Sequence, residues 1–90
     1  MINFTTQREY QGSNVDALDG LGDEFCTFRQ AVRYFNLSGK ELKGAKSCAR
    51  LMKIVEKEVV VKGKKEKKKV PIYFNVFEKK HLMRVIESNA

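Results

Sequence analysis

Apolar residues recur at helical spacing most clearly in "CTFRQAVRYFNLSG". Phe28, Ala31, Val32 and Phe35 fall at i, i+3, i+4 and i+7, while Arg29, Gln30 and Arg33 occupy the opposite face and Tyr34 its edge. Thr27 is a good N-cap and Gln30 completes T-x-x-Q, so the pattern predicts a helix over 28–36. Leu37 to Gly39 is its expected stop, because a glycine takes the positive φ that a helix C-terminus commonly requires. A weaker pattern precedes it. Ser13 and Asp16 have capping-box spacing, Val15 and Leu18 have helical spacing, and Gly20 and Gly22 follow, which together predict a short helix over about 14–19.

Farther along, the period changes. "ARLMKIVEKEVVV" is rich in β-branched residues, with Leu51, Val55 and Val59 on one face and Met52 and Ile54 on the other. Two readings follow: both faces are partly covered near its middle, or a bulge shifts the register. "VPIYFNVF" alternates cleanly, Val70, Ile72, Phe74 and Val76 against Tyr73, Asn75 and Phe77, and Pro71 marks either an edge or the start of pairing. These strands predict an antiparallel hairpin whose tip is a lysine-rich loop over 62–69. "KELKGAKSC" reads as a turn presenting Lys40, Lys43 and Lys46 around Gly44, and "FEKKHLMRVIES" as a closing helix that offers Leu82, Met83, Val85 and Ile86 to the core. The expected fold is a small α+β domain spanning 1–90, ordered α-α-β-β-α: two short N-terminal helices, the hairpin and a C-terminal helix. An extra short strand fits around Ile2 to Thr6.

Size and composition agree with a single folded domain: 90 residues, 42% hydrophobic and 32% charged. Charge changes the picture more. Residues 1–30 carry Arg8 and Arg29 against five carboxylates, so of the net +7 the remaining 60 residues hold +10. Such a surplus favours nucleic acid, an anionic membrane surface or an acidic protein. "MINFTTQREYQG" turns polar by its fifth residue and no apolar run approaches the ~20 residues of a membrane span, so a cytoplasmic protein without membrane contact is expected. Cys26 and Cys48 lack C-x-x-C spacing and are expected to serve as small hydrophobes. His81 is the only histidine, and no phosphate-loop, dinucleotide or zinc-protease motif occurs. The expected role is therefore non-catalytic, without cofactor or metal.

Binding is better served. Lys40, Lys43, Lys46 and Arg50 lead into the first long strand, Arg29 and Arg33 share a helix face with Gln30, and Lys64 and Lys65 sit in "VKGKKEKKKVP". Gathered on one side, these would neutralise phosphates, while Tyr73, Tyr34 and Tyr10 offer flat surfaces for unstacked bases. A bland reading stands beside this one for the lysine stretch. Lysines on exposed strands also keep edges from aggregating, and residues 62–69 contain no aromatic side chain. That stretch is expected to add long-range attraction, with recognition nearer the K-G-x-K turn.

Four segments occur in a telling order: "YQGSN" at 10–14, "CTFRQA" at 26–31, "LKGAKS" at 42–47 and "YFNVF" at 73–77. Over about residues 8–82 the chain resembles the N-terminal single-stranded DNA-binding domain of the ArdC antirestriction proteins, a domain also found in TraC-type plasmid primases. Gly12 and Asn14 match the start of the family's first helix, Thr27, Arg29 and Gln30 the start of its second, and Lys43, Gly44 and Lys46 its basic turn. Ser47, Glu78 and His81 depart from the family's usual residues. The resemblance implies a module that binds single-stranded DNA with little sequence preference, and that the lysine stretch is the family's variable charged insertion. Since larger relatives continue into a metalloprotease-like or primase region where this sequence stops at Ala90, a free-standing module encoded by a phage, plasmid or other mobile element is expected. The rival expectation is a protein-binding inhibitor of a host defence nuclease.

Overall fold

Long alternating runs become strands by burying one face, and in this chain the two longest runs pair with each other. The computed structural model describes residues 1–90. Its elements are β1 (Ile2–Asn3), β2 (Arg8–Glu9), α1 (Ser13–Leu18), β3 (Glu24–Cys26), α2 (Phe28–Tyr34), a 3₁₀ turn (Lys40–Leu42), β4 (Ala49–Val61), β5 (Lys64–Glu78) and α3 (Lys79–Ser88). The strands form one sheet in the order β2-β1-β3-β5-β4, with β1 and β3 parallel and every other pair antiparallel. The architecture is small, single-domain α+β. No helix is long and apolar enough to cross a membrane.

The sheet is covered on both faces, but only at one end. Cys26 and Phe77 are cross-strand partners, and on their side Phe4, Ala31, Leu42 and Leu82 close a core beneath α2, α3 and the 3₁₀ turn. On the other side Phe25, Val76 and Leu51 meet Leu18 of α1, flanked by Tyr10 and Phe74. Cys26 fills core space, as a small hydrophobe would. All 11 buried residues lie within 3–51 or 76–82, so the hairpin between them projects without a core of its own. The radius of gyration is 16.1 Å, against about 12 Å for a compact chain of this length. The long axis reaches 54 Å.

Several expectations are corrected. The stretch 62–69 is not a loop: Lys64–Lys69 belongs to β5, and the turn is only Lys62 and Gly63, at φ 51° and 78°. Positive φ at both central residues is the signature of the tight type I′ hairpin, whose twist matches that of the strands. Thirteen consecutive pairs, from Ala49↔Val76 to Val61↔Lys64, leave no bulge, and near the middle of β4 the Ile54 face is open, Ile54 being 55% exposed, so neither reading of β4 holds. Helix α2 ends at Tyr34 rather than 36. Asn36, at φ 54°, takes the left-handed position, with Asn36 N–H donating to Arg33 O and Leu37 N–H to Val32 O. This is a Schellman stop built on asparagine instead of glycine. Gly39, at φ 100°, instead precedes the 3₁₀ turn. Helix α3 begins at Lys79 because Phe77 and Glu78 remain in β5, and Met83 stays exposed. The anticipated strand near the N-terminus exists as Ile2–Asn3, whereas β2 and β3 were not expected.

Candidate nucleic-acid interface

Strand β3 is only three residues long, and this shortness creates the main cavity. After Cys26 pairs with Phe77, the chain leaves the sheet for α2, so β5 has no neighbour on that side from Asn75 outward. An open cleft of about 910 Å³ fills the vacated space. Its floor is Thr27, Phe28, Arg29 and Gln30, one wall is Arg8, Glu9 and Tyr10, and the other is the hairpin base with Lys53, Ile72, Phe74 and Asn75. On the far edge of the hairpin the Asn14 side chain bonds both Met52 N–H (3.2 Å) and Met52 C=O (2.9 Å). Met52 therefore points its backbone N–H and C=O away from β5, and in an antiparallel ladder the backbone N–H and C=O of its partner Tyr73 point away from β4, into the unpaired edge of β5.

A network of side-chain amides fixes the floor. Gln30 Oε1 accepts from Thr27 N–H at 3.0 Å and from Asn3 Nδ2 at 2.7 Å, while Thr27 Oγ1 accepts from Gln30 N–H at 3.3 Å. The capping box anticipated from sequence thus forms. Asn3 is itself buried, and its Oδ1 accepts from Thr5 N–H and Thr5 Oγ1. Gln30 accordingly positions the floor by joining α2 to the β1–β2 turn.

Three cations, Arg8, Arg29 and Lys53, face one carboxylate, Glu9, in the cleft. A shallower hollow lined by Thr5, Gln30, Arg33 and Tyr34 adjoins it through Gln30. Two rings are available beside these charges. Phe28 is 41% exposed and leans on Phe77 with centroids 6.1 Å apart. Tyr34 is 51% exposed and braced edge-on by Phe4 and Phe35 at 5.1 and 5.0 Å. Such an arrangement can neutralise phosphates and stack two unpaired bases.

The other anticipated residues lie elsewhere. Lys40 opens the 3₁₀ turn and Lys43 and Lys46 follow it, in a segment fastened by α3 and its C-cap: His81 Nε2 accepts from Lys46 N–H at 3.0 Å, and Asn89 Nδ2 donates to the carbonyls of Glu41 and Lys43. None of the three lines the cleft. Arg50 stacks its guanidinium 4.8 Å from the centroid of the Tyr73 ring, on the hairpin face opposite Lys53, Ile72 and Phe74. Lys64 and Lys65 stand at the hairpin's far end. Of the tyrosines, Tyr10 is packed against Phe25 and is not a free platform. Burial pushes its hydroxyl up to about 12, Asn3 opposing this only in part, and the oxygen makes no well-formed hydrogen bond.

Sequence reasoning missed Arg8, Lys53, Phe28 and Phe74. Lys53 had a visible signal, since it interrupts the apolar face of Leu51 and Val55. Phe28 had none, because its helical spacing assigned it to the core. No protein-family model, no curated protein and no solved structure matches the chain.

Proposed function

We propose that this chain is a non-catalytic module that binds single-stranded DNA with little sequence preference, the cleft at the hairpin base being its binding surface. The observation that carries the reading is the convergence of Arg8, Arg29 and Lys53 on an open cleft whose floor presents the Phe28 ring, with Arg33 and Tyr34 continuing it. Each stacked base contributes about 1–3 kcal/mol, and four phosphate contacts give a salt slope of roughly −3 at about 0.7 per contact. Neither term reads base identity. The resemblance to the ArdC N-terminal domain supports the same function and an origin in a mobile element, with antirestriction as its setting.

Anisotropy of a labelled oligonucleotide, titrated across salt concentrations, tests this. Micromolar or tighter binding that weakens with salt, falls about tenfold or more in Phe28→Ala and is lost in Arg29→Glu with Lys53→Glu is the expected result. Absence of binding at low salt overturns the reading. One observation favours the rival, a protein partner such as a host defence nuclease: Ile54 and Tyr73, 55% and 54% exposed, flank Met52 and Pro71 beside Arg50, and Tyr and Arg commonly anchor protein interfaces. A stoichiometric complex with such a nuclease, in place of oligonucleotide binding, is its signature.

A further inference from the structure

The register sorts the charges of the projecting hairpin onto two unlike faces. Residues 53–70 hold eight lysines and three glutamates. On the face turned away from Arg50, the charged side chains are Lys53, Lys57, Lys64 and Lys68, against Glu66 alone. On the other face Glu56 lies opposite Lys69 and Glu58 opposite Lys67, leaving only Lys65 without an acidic partner. The first face is a row of cations that begins inside the cleft at Lys53 and runs outward for roughly 27 Å, eight residues at about 3.4 Å each. Lys57 and Lys68 are direct cross-strand partners, a like-charge pair that destabilises a ladder unless an anion lies over it.

No aromatic residue occurs between Lys53 and Val70. A single strand laid along this face would find phosphate partners but no surface for its bases. A duplex keeps its base faces stacked inside and lines its outside with phosphates, so it needs no aromatic surface. The geometry points to a duplex-contacting arm: the lysine face lies along the phosphate backbone of double-stranded DNA while the cleft holds the adjoining single strand, so the preferred target is a junction between the two. This rests on the cleft reading for its single-stranded half.

The test uses the full chain with three labelled probes: a single strand, a blunt duplex, and a DNA hairpin carrying a single-stranded tail of the same sequence. Lys57→Gln/Lys68→Gln is compared with Lys67→Gln/Lys69→Gln, which removes the same charge from the other face, and circular dichroism checks that both variants fold. The expected result is a tailed hairpin bound about tenfold tighter than the single strand. That advantage is lost in the first variant, with the salt slope falling by roughly 0.9 per lysine, and kept in the second. Equal affinity for tailed hairpin and single strand overturns the arm's role and leaves the cleft reading intact. Equal losses in the two variants overturn the face assignment. Failure to bind the single strand, with the duplex still held through Lys57 and Lys68, overturns the cleft reading and supports the arm.

Discussion

The body and the arm share the same two strands, yet different forces hold them. At Val76 and Phe77, β5 is buried on both faces, beneath α1 on one side and α2 and α3 on the other. Ten residues earlier, from Lys64 to Lys69, the same strand is exposed throughout. The body is held by apolar burial, which is non-directional and scales with area. The arm is held by ladder hydrogen bonds, a turn of the right hand and cross-strand pairs, contributions that leave an isolated hairpin marginal in water. An unbroken strand can therefore be rigidly specified at one end and only locally supported at the other.

Truncation should separate the two regions most sharply. Phe25→Ala, in the body, is expected to cost about 3–5 kcal/mol, whereas Val60→Ala, at a position 70% exposed on the arm, changes global stability by about 0.5 kcal/mol or less. Urea unfolding of both variants measures the gap, and comparable losses would erase the distinction.

Alkali offers a second probe of the body. Burial pushes the Cys26 thiol from its ordinary 9.0 up to about 12, and the Tyr10 hydroxyl from 10.0 to about 12. Both groups hold their protons more tightly in the folded state, so their contribution is complete below pH 9 and is lost as pH rises toward 12. Melting temperature should fall across that window, and the fall should be shallower in Cys26→Ala and Tyr10→Phe.

Asn14 sits where the regions meet. Asn14→Ala removes two hydrogen bonds to Met52 and opens the edge of β4, an expected loss of about 1–3 kcal/mol together with faster amide exchange at the hairpin base. Asn14→Asp, which keeps the acceptor and loses the donor, should fall between. The smallest effect belongs to the tip. Gly63→Ala strains a residue at φ 78° and should speed exchange of arm amides while leaving the urea midpoint of the body nearly unchanged.

Elements with a period were legible in the sequence. The T-x-x-Q box at Thr27 and Gln30, the alternation of 70–77 and the apolar stripe of α3 each announced themselves because many side chains repeat one instruction. Strands of two or three residues carry no period, so β2 and β3 were silent. The lysines of β5 misled because lysine favours strands weakly, and their extended conformation comes from pairing with Glu56 to Val61 across a two-residue turn. The site was less legible than the fold. Arg29 and Gln30 were read as surface neighbours on one helix, but Arg8 and Lys53 reach the cleft only through the sheet order, which nothing in local sequence encodes. Gln30 was read as a contact residue, whereas its side-chain oxygen is committed to Thr27 and Asn3.

The tight turn at Lys62 and Gly63 closes on a hydrogen-bonded pair, Val61 and Lys64, as the outward-facing Met52 requires of every odd position along β4. Shortening each strand by one residue would put that turn on the wrong kind of pair, while removing two restores it. The reach of the protein is thus quantised in steps of about 7 Å, and evolution or an engineer could lengthen or clip it rung by double rung without disturbing a single interior side chain.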